Sequence, residues 1–373
     1  MRRRDFIKNG AIGSAALSVS GCSLVMPGKK ILLERRFESS DYSFEVTKPR
    51  PKGGTIPVRE LGKTGIKVSA FGYGAHMQED LVPFEEERCR MIRESFDLGV
   101  NTFDIYDHWG VEQFEPMSRH LAPMMNDVVL SLNLQLREGR TAEQEFERAI
   151  RLFKRDHIDM YRLNANAGDP ASESYNFWDT LFRYKEQGKI RAVGMSIHFP
   201  HEVEQVLSQY PLDYVIIPYN FYHNLLWDGR TGGNFDPLTK RLSDRGIAVI
   251  VMKPFATDWF VAPMIDAAKQ LDETGELSLP QAMLRWVINS PVDPDLTIGG
   301  IFTLDHLYED IPAYYFPAIS AEEQNLLKKL RRVARTNAAA LLPDSYRFLE
   351  NWTGDYLHNT NNHALIFFSN GLA

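Results

Sequence analysis

The chain has 373 residues, 44% of them apolar, which is enough to bury a full core and fits one large α/β barrel or two ordinary domains; nothing in the composition indicates disorder or a fibre. Its formal charge is -7, and the first 22 residues hold Arg2, Arg3, Arg4 and Lys8 against Asp5, so the body is more acidic still and unsuited to nucleic acid. Two cysteines, Cys22 and Cys89, exclude a disulfide framework, a four-cysteine iron-sulfur cluster and a cysteine-based structural zinc site.

The opening MRRRDFIKNGAIGSAALSVSGC has a basic start, a weakly apolar middle and small residues before Cys22. It resembles a twin-arginine export signal, carried by Arg3, Arg4, Phe6, Ile7 and Lys8, fused to the lipoprotein box Val19-Ser20-Gly21-Cys22. The resemblance implies export, lipidation of Cys22 and anchorage of an extracytoplasmic or periplasmic lipoprotein to a membrane. Residues 23–55, with GKK, ERR and PRPKGG, read as a polar tether.

From residue 56 onward short apolar runs alternate with helical spacing. Strand-like runs fall at 67–76, 101–106, 128–134, 158–164, 192–198, 214–220, 248–254 and 296–300, and helix-like segments at 85–99, 141–157, 176–189, 200–210, 236–246 and 279–290. Eight such alternations predict a closed eight-stranded parallel (β/α) TIM barrel over residues 56–330, with functional groups at the C-terminal ends of the strands and an extension over 331–373. A doubly wound open sheet is the alternative, but no strand leads into a G-x-G-x-x-G turn. Cys89 falls on the first helix as a small core residue.

The stretch NTFDIYDHWG, residues 101–110, stands out because Asp104 lies inside an apolar strand, where a carboxylate must be paired or used. Several other segments accompany it: RELGKTGIKVSAFGYG (59–74), HIDMYRL (157–163), KEQGKIRAVGMS (185–196), PYN (218–220) and QAMLRWVINSP (281–291). Together and in this order they resemble the aldo/keto reductase superfamily. MKPF (252–255) resembles the branch whose members carry a ferredoxin-like region, although residues 335–373 hold no cysteine for a cluster.

The resemblance implies hydride transfer between a carbonyl or alcohol and NADP or NAD, with an aspartate, tyrosine, lysine and histidine at the barrel mouth. Asp104 agrees with the family's aspartate. The tyrosine position is Trp109, the lysine position Asn133 and the histidine position Asn164. An indole N–H cannot exchange a proton at ordinary pH, and asparagine brings neither a cation nor a titratable ring, so the expectation is a degenerate tetrad and very slow standard reduction.

The implied cofactor contacts are altered as well. Ser196 agrees with the serine beside the nicotinamide carboxamide, but Ile197 and Pro218 replace an asparagine and a glutamine. Gly299 and Gly300 would let a phosphate approach backbone N–H groups, Lys253 is a candidate phosphate contact, His306 a weak contact for a ribose phosphate, and Glu309 and Asp310 an imperfect match to a pair near the adenine. Nicotinamide binding is therefore expected to be weakened or absent.

Other groups near strand ends suggest alternatives. His76, His108, His198 and His223, with His201, and Asp104 and Asp107 form a scattered candidate metal or acid–base set without an H-E-x-x-H motif. Tyr106, Trp109, Tyr219, Tyr222 and Trp259 would form an aromatic wall for a flat ligand such as a sugar ring. The tail at 351–368 is a candidate cover for the mouth, a packing strap or a partner surface. Two functions follow: an exported binding protein for a small carbonyl or sugar-like molecule, or an enzyme that uses Asp104, Tyr106, Asp107 or His108 in new roles with a bound cofactor or a metal.

Overall fold

Eight strands whose runs are apolar on both faces, as burial between a barrel interior and a helical coat requires, close on one another in the computed structural model. It describes residues 24–26, 29–31, 43–75, 81, 84–107, 112–134, 140–164, 177–197, 200–221, 235–255, 258–272 and 275–341. The barrel strands are β1 (Phe71–Gly74), β2 (Thr102–Ile105), β3 (Val129–Asn133), β4 (Ile158–Asn164), β5 (Ile190–Ser196), β6 (Tyr214–Pro218), β7 (Ala248–Met252) and β8 (Leu296–Gly300). Each pairs in parallel with its neighbours, and β8 pairs with β1. The predicted TIM barrel is what the chain forms.

The coat comprises α1 (Glu85–Asp97), α2 (Phe114–Leu121), α3 (Ala142–Phe153), α4 (Phe177–Glu186), α5 (His201–Gln209), α6 (Asp236–Asp244), α7 (Asp258–Leu271), α8 (Leu279–Ile288), α9 (Leu304–Asp310), α10 (Pro312–Tyr315) and α11 (Ala321–Leu341). Local chemistry starts several of them. Thr141 and Gln144 make a reciprocal capping box at α3, and Ser278 caps α8 by accepting from Gln281 N. α2 has no counterpart among the helical segments read from the sequence; it spans only eight residues, burying Phe114, Met117, His120 and Leu121 at helical spacing. α11 runs through residue 330, so the barrel's last helix and the start of the extension are one element.

The apolar run at 67–76 does two jobs. Lys67–Ser69 pairs antiparallel with Val58–Glu60 in a hairpin, and only then does Phe71–Gly74 enter the barrel. Asn101 braces the break by accepting from Ser69 N at 2.6 Å. Leu61, Ile66 and Val68 from this hairpin region plug the barrel floor and join Val129, Met160, Tyr214, Ile250, Leu296 and Ile298 in an interior core. A larger core fills the layer between strands and helices.

The plug leaves the opposite end as the mouth, because the hairpin sits at the strands' N-terminal side. Alternation along β4 decides what points there. Met160 is in the interior core while Tyr161 and Leu163 join the outer layer, so Arg162 and Asn164 follow Met160 inward.

Residues 43–55, within the span read as tether, lie against the barrel. Thr47 N and Lys48 N both donate to Asp305 Oδ1 at 2.9 Å, Arg50 pairs with Glu94 at 2.5 Å, and Pro51 is buried. Among the described residues no helix is long and apolar enough to cross a membrane.

Candidate active site

Asp104, one residue before the end of β2, lies inside the mouth, 5% exposed, and its partner is Arg162 of β4, 3% exposed. The guanidinium grips the carboxylate with both terminal nitrogens, Nη1 to Oδ1 at 2.6 Å and Nη2 to Oδ2 at 3.1 Å. Ser131, on the strand between them, donates to Asp104 Oδ1 at 2.6 Å and accepts from Arg162 Nη1 at 3.2 Å. The remaining guanidinium edge is used too: Nε donates to Ser196 Oγ at 2.8 Å. One arginine thus ties β2, β3, β4 and β5 together beneath the mouth.

Room for this arrangement comes from Gly194, which pairs with Arg162 across β4 and β5. A Cβ at residue 194 would stand 2.4 Å from the Tyr214 ring, so the glycine lets that ring lie inside the barrel. Burial raises the Tyr214 hydroxyl far above its usual range and keeps it neutral under the ion pair.

Arg162 was missed by sequence reasoning, although the argument that singled out Asp104 applies equally to a guanidinium in the apolar run IDMYRLN. Counting back two residues from Asn164 places Arg162 on the same inward face.

Above the ion pair stand Tyr106, Asn164 and Ser196, all half-buried. Asn164 Nδ2 donates to Tyr106 Oη at 2.5 Å, and the Arg162 guanidinium lies 5.9 Å from the Tyr106 ring centroid. Burial raises the Tyr106 hydroxyl pKa, against the lowering effect of Arg162 and of the Asn164 hydrogen bond.

Asn133, at the expected lysine position, is fully buried and serves the backbone. Its Oδ1 accepts from Asp107 N at 2.8 Å and its Nδ2 donates to Asp107 O at 3.3 Å, a two-way clamp that a lysine, which only donates, cannot make. Asp107, a candidate for new chemistry, is also committed to the framework. It pairs with Arg148 at 3.0 Å and accepts from Gln113 N at 2.7 Å just before α2. Tyr219, proposed for the aromatic wall, turns the other way, stacking on Trp286 at 5.5 Å in the outer layer. Trp109, His76, His108, His198, His223, Tyr222 and Cys22, and the side chains of His201 and Trp259, lie outside the described residues. Among the described residues no group of three or more His, Cys, Asp or Glu side chains is placed to hold a metal ion.

The implied nicotinamide contacts are scattered over other tasks. Ile197 is buried in the outer apolar layer, and Pro218 offers no side-chain hydrogen bond. Gly299 is explained by packing, since a Cβ there would meet the Phe71 ring at 2.6 Å; Gly300 is exposed at the end of β8. His306 sits in the first turn of α9 with its backbone N–H capped by Thr303. Glu309 is held by Lys48 at 3.1 Å and by the Ser278 hydroxyl at 2.8 Å. Asp310 is 3% exposed, and burial pushes its carboxyl well above the usual range. Lys253 follows β7 with φ of 56°, its carbonyl accepting from Asn220 Nδ2 at 3.0 Å, and burial lowers its amine to about 8. Of the described residues expected to contact the nicotinamide ring, Ser196 alone presents a polar side chain, and its Oγ accepts from Arg162 Nε at 2.8 Å.

A model of the aldo/keto reductase family matches residues 70–332. L-galactose dehydrogenase of Arabidopsis thaliana is 24% identical over 218 residues, 54% of this chain and 66% of the relative. Pyridoxal reductase of the same plant is 23% identical over 167 residues, 39% of this chain and 46% of the relative, so the matches span less than two thirds of either protein. The holo form of an aldo-keto reductase from Bacillus halodurans superposes with a TM-score of 0.57 at 19% identity, covering 74% of this chain and 96% of that one, a likeness of fold.

Proposed function

This chain belongs to the aldo/keto reductase family, and from that premise we propose that it binds a small carbonyl or sugar-like ligand at the barrel mouth without the family's standard hydride transfer. The single observation that carries this reading is the Asp104–Arg162 pair. A guanidinium keeps its charge at any working pH, so it balances the aspartate but cannot relay a proton as a titratable group would. The positions that resemble the family's lysine and histidine hold Asn133, spent on a backbone clamp, and Asn164, which does not titrate. General acid catalysis contributes about a hundredfold to ten-thousandfold where it operates, so its loss leaves binding as the site's main capacity.

The chemistry of the nicotinamide seat supports weak or absent NADP and NAD binding. Similarity to a protein named for L-galactose supports a sugar-like ligand. The N-terminal pattern supports export by the twin-arginine route and anchorage through lipidated Cys22, and MKPF supports kinship with the ferredoxin-carrying branch.

Fluorescence titration and equilibrium dialysis with NADPH and NADH, paired with turnover assays on simple aldehydes, test the proposal. Micromolar cofactor affinity together with rapid aldehyde reduction would overturn it; ligand binding without turnover is the expected result.

A further inference from the structure

Residues 43–57 run down the outside of the barrel wall, and their contacts give the direction. Phe44 packs on Phe84, the residue before α1, with ring centroids 5.0 Å apart. Thr47 and Lys48 hold Asp305 in the first turn of α9: both backbone N–H groups donate to Oδ1 at 2.9 Å, and the Thr47 hydroxyl donates to Oδ2. α1 and α9 each follow a barrel strand, so both helices start at the mouth. Below them Lys48 Nζ meets Glu309 at 3.1 Å, and Arg50 meets Glu94, near the end of α1, at 2.5 Å. Pro57 O then accepts from Ala70 N at 2.8 Å, where the chain enters the hairpin on the barrel floor.

This strap relocates the chain's exit. Undocked, the segment before the hairpin would leave from the floor; docked, everything before residue 43 leaves from the mouth rim between α1 and α9. The 13 residues of α1 span about 20 Å at 1.5 Å per residue, which is the height the strap adds.

We infer that the docked strap turns the barrel's mouth toward the bilayer that holds lipidated Cys22, so that the ligand site opens on the membrane side. This rests on the export and anchorage reading above and adds to it the orientation of the site. Twenty residues lie between Cys22 and Ser43, and a chain extends at most about 3.3–3.6 Å per residue, so the link reaches at most on the order of 70 Å. A mouth turned away would draw that link back along the wall before it met the membrane, whereas a mouth turned toward it leaves the whole length available. The rim is acidic, with Glu85, Glu86 and Glu87 in the first turn of α1, Glu115 in that of α2 and Glu143 and Glu145 in that of α3. These charges oppose flat contact with an anionic bilayer, but salt confines the repulsion to about 8–10 Å, well inside the link's reach. The mouth is held facing the headgroups without resting on them.

The test is energy transfer from a donor dye on the lipidated full chain, bound to neutral phosphatidylcholine vesicles, to an acceptor dye on the lipid headgroups. Glu86→Cys and Asp97→Cys, each in a Cys89→Ser background, place the donor at exposed positions at the two ends of α1. Transfer from residue 86 is expected to exceed that from residue 97, with a difference in distance from the surface on the order of 15 Å, the helix length between them. Combining Lys48→Ala, Arg50→Ala and Asp305→Ala undocks the upper strap, and the difference is then expected to shrink at least twofold while flotation with the vesicles is unchanged.

Thermal unfolding of each variant checks that the barrel is intact, and if the undocked variant does not fold, the two labels in the otherwise unaltered chain still decide. Equal transfer from both positions, greater transfer from residue 97, or a difference unchanged by undocking would overturn the inference and leave the anchorage reading standing. A wild-type chain that does not float with vesicles would remove both.

Discussion

Replacing Arg162 with methionine isolates the interaction on which the mouth is built. The change removes two hydrogen bonds to Asp104, at 2.6 and 3.1 Å, and those to Ser131 and Ser196, at 3.2 and 2.8 Å, while a chain of similar reach still fills the space. It leaves a carboxylate at 5% exposure with the Ser131 hydroxyl still donating to it. Breaking a buried pair by deleting one partner typically costs about 3–5 kcal/mol, because the survivor keeps its desolvation penalty and loses its attraction. Deleting both charges lifts that penalty, so Asp104→Asn combined with Arg162→Met is expected to recover at least half of the loss. Urea unfolding followed by tryptophan fluorescence and far-UV circular dichroism gives the shift in midpoint at constant slope for both variants and for Asp104→Asn, closing a double-mutant cycle. A loss below about 1 kcal/mol for Arg162→Met, or a double variant no more stable than the single one, would show that the pair does not hold the mouth together.

Other outcomes follow from separate parts of the molecule. Burial, with the nearby charge of Arg88, lowers His120 from 6.5 to about 4, so the unfolded chain binds a proton that the folded chain refuses. The His120 contribution to stability should therefore be constant above about pH 7 and fall on the order of 2 kcal/mol between pH 6.5 and 4, so His120→Gln should show a shallower slope over that window; an unchanged slope would refute the assignment. Gly194→Ala forces a methyl into the Tyr214 ring at 2.4 Å, and an overpacked barrel interior should lose about 1–3 kcal/mol in the same unfolding assay. The proposed export and lipidation predict that Cys22→Ser moves the protein from the membrane fraction to the soluble one, with loss of metabolic labelling by palmitate; labelling that persists, or a wild-type chain that never enters the membrane fraction, would refute that proposal.

How much of the site was legible in advance differs by residue. Asp104 announced itself, since a carboxylate in an apolar strand must find a partner. The identity of that partner did not follow from spacing: Asp104 pairs in register with Ser131, whereas Arg162 pairs with Asn133 and Gly194, and the two charges meet because the side chains converge inside a closed barrel. Asn133 reads in the sequence as a lost lysine, and in the structure as a clamp on Asp107. Tyr219 reads as lining and turns out to pack outward, because strand alternation sends Ile217 and Tyr219 to the helical layer while Ile216 faces in. Residues 43–55 read as tether because they are polar, yet polar groups such as those at Thr47 and Lys48 can dock when a carboxylate like Asp305 accepts their N–H groups.

Periodicity by itself located the eight barrel strands and six helices of the coat, and the barrel architecture they imply gave the strand end at which chemistry would gather, for burial on both faces leaves a mark in a run of residues. Tertiary structure alone decided which buried charge answers which, and which polar side chains serve the framework. Those outcomes depend on contacts across strands 27 to 58 residues apart in the chain, where no local pattern carries the information.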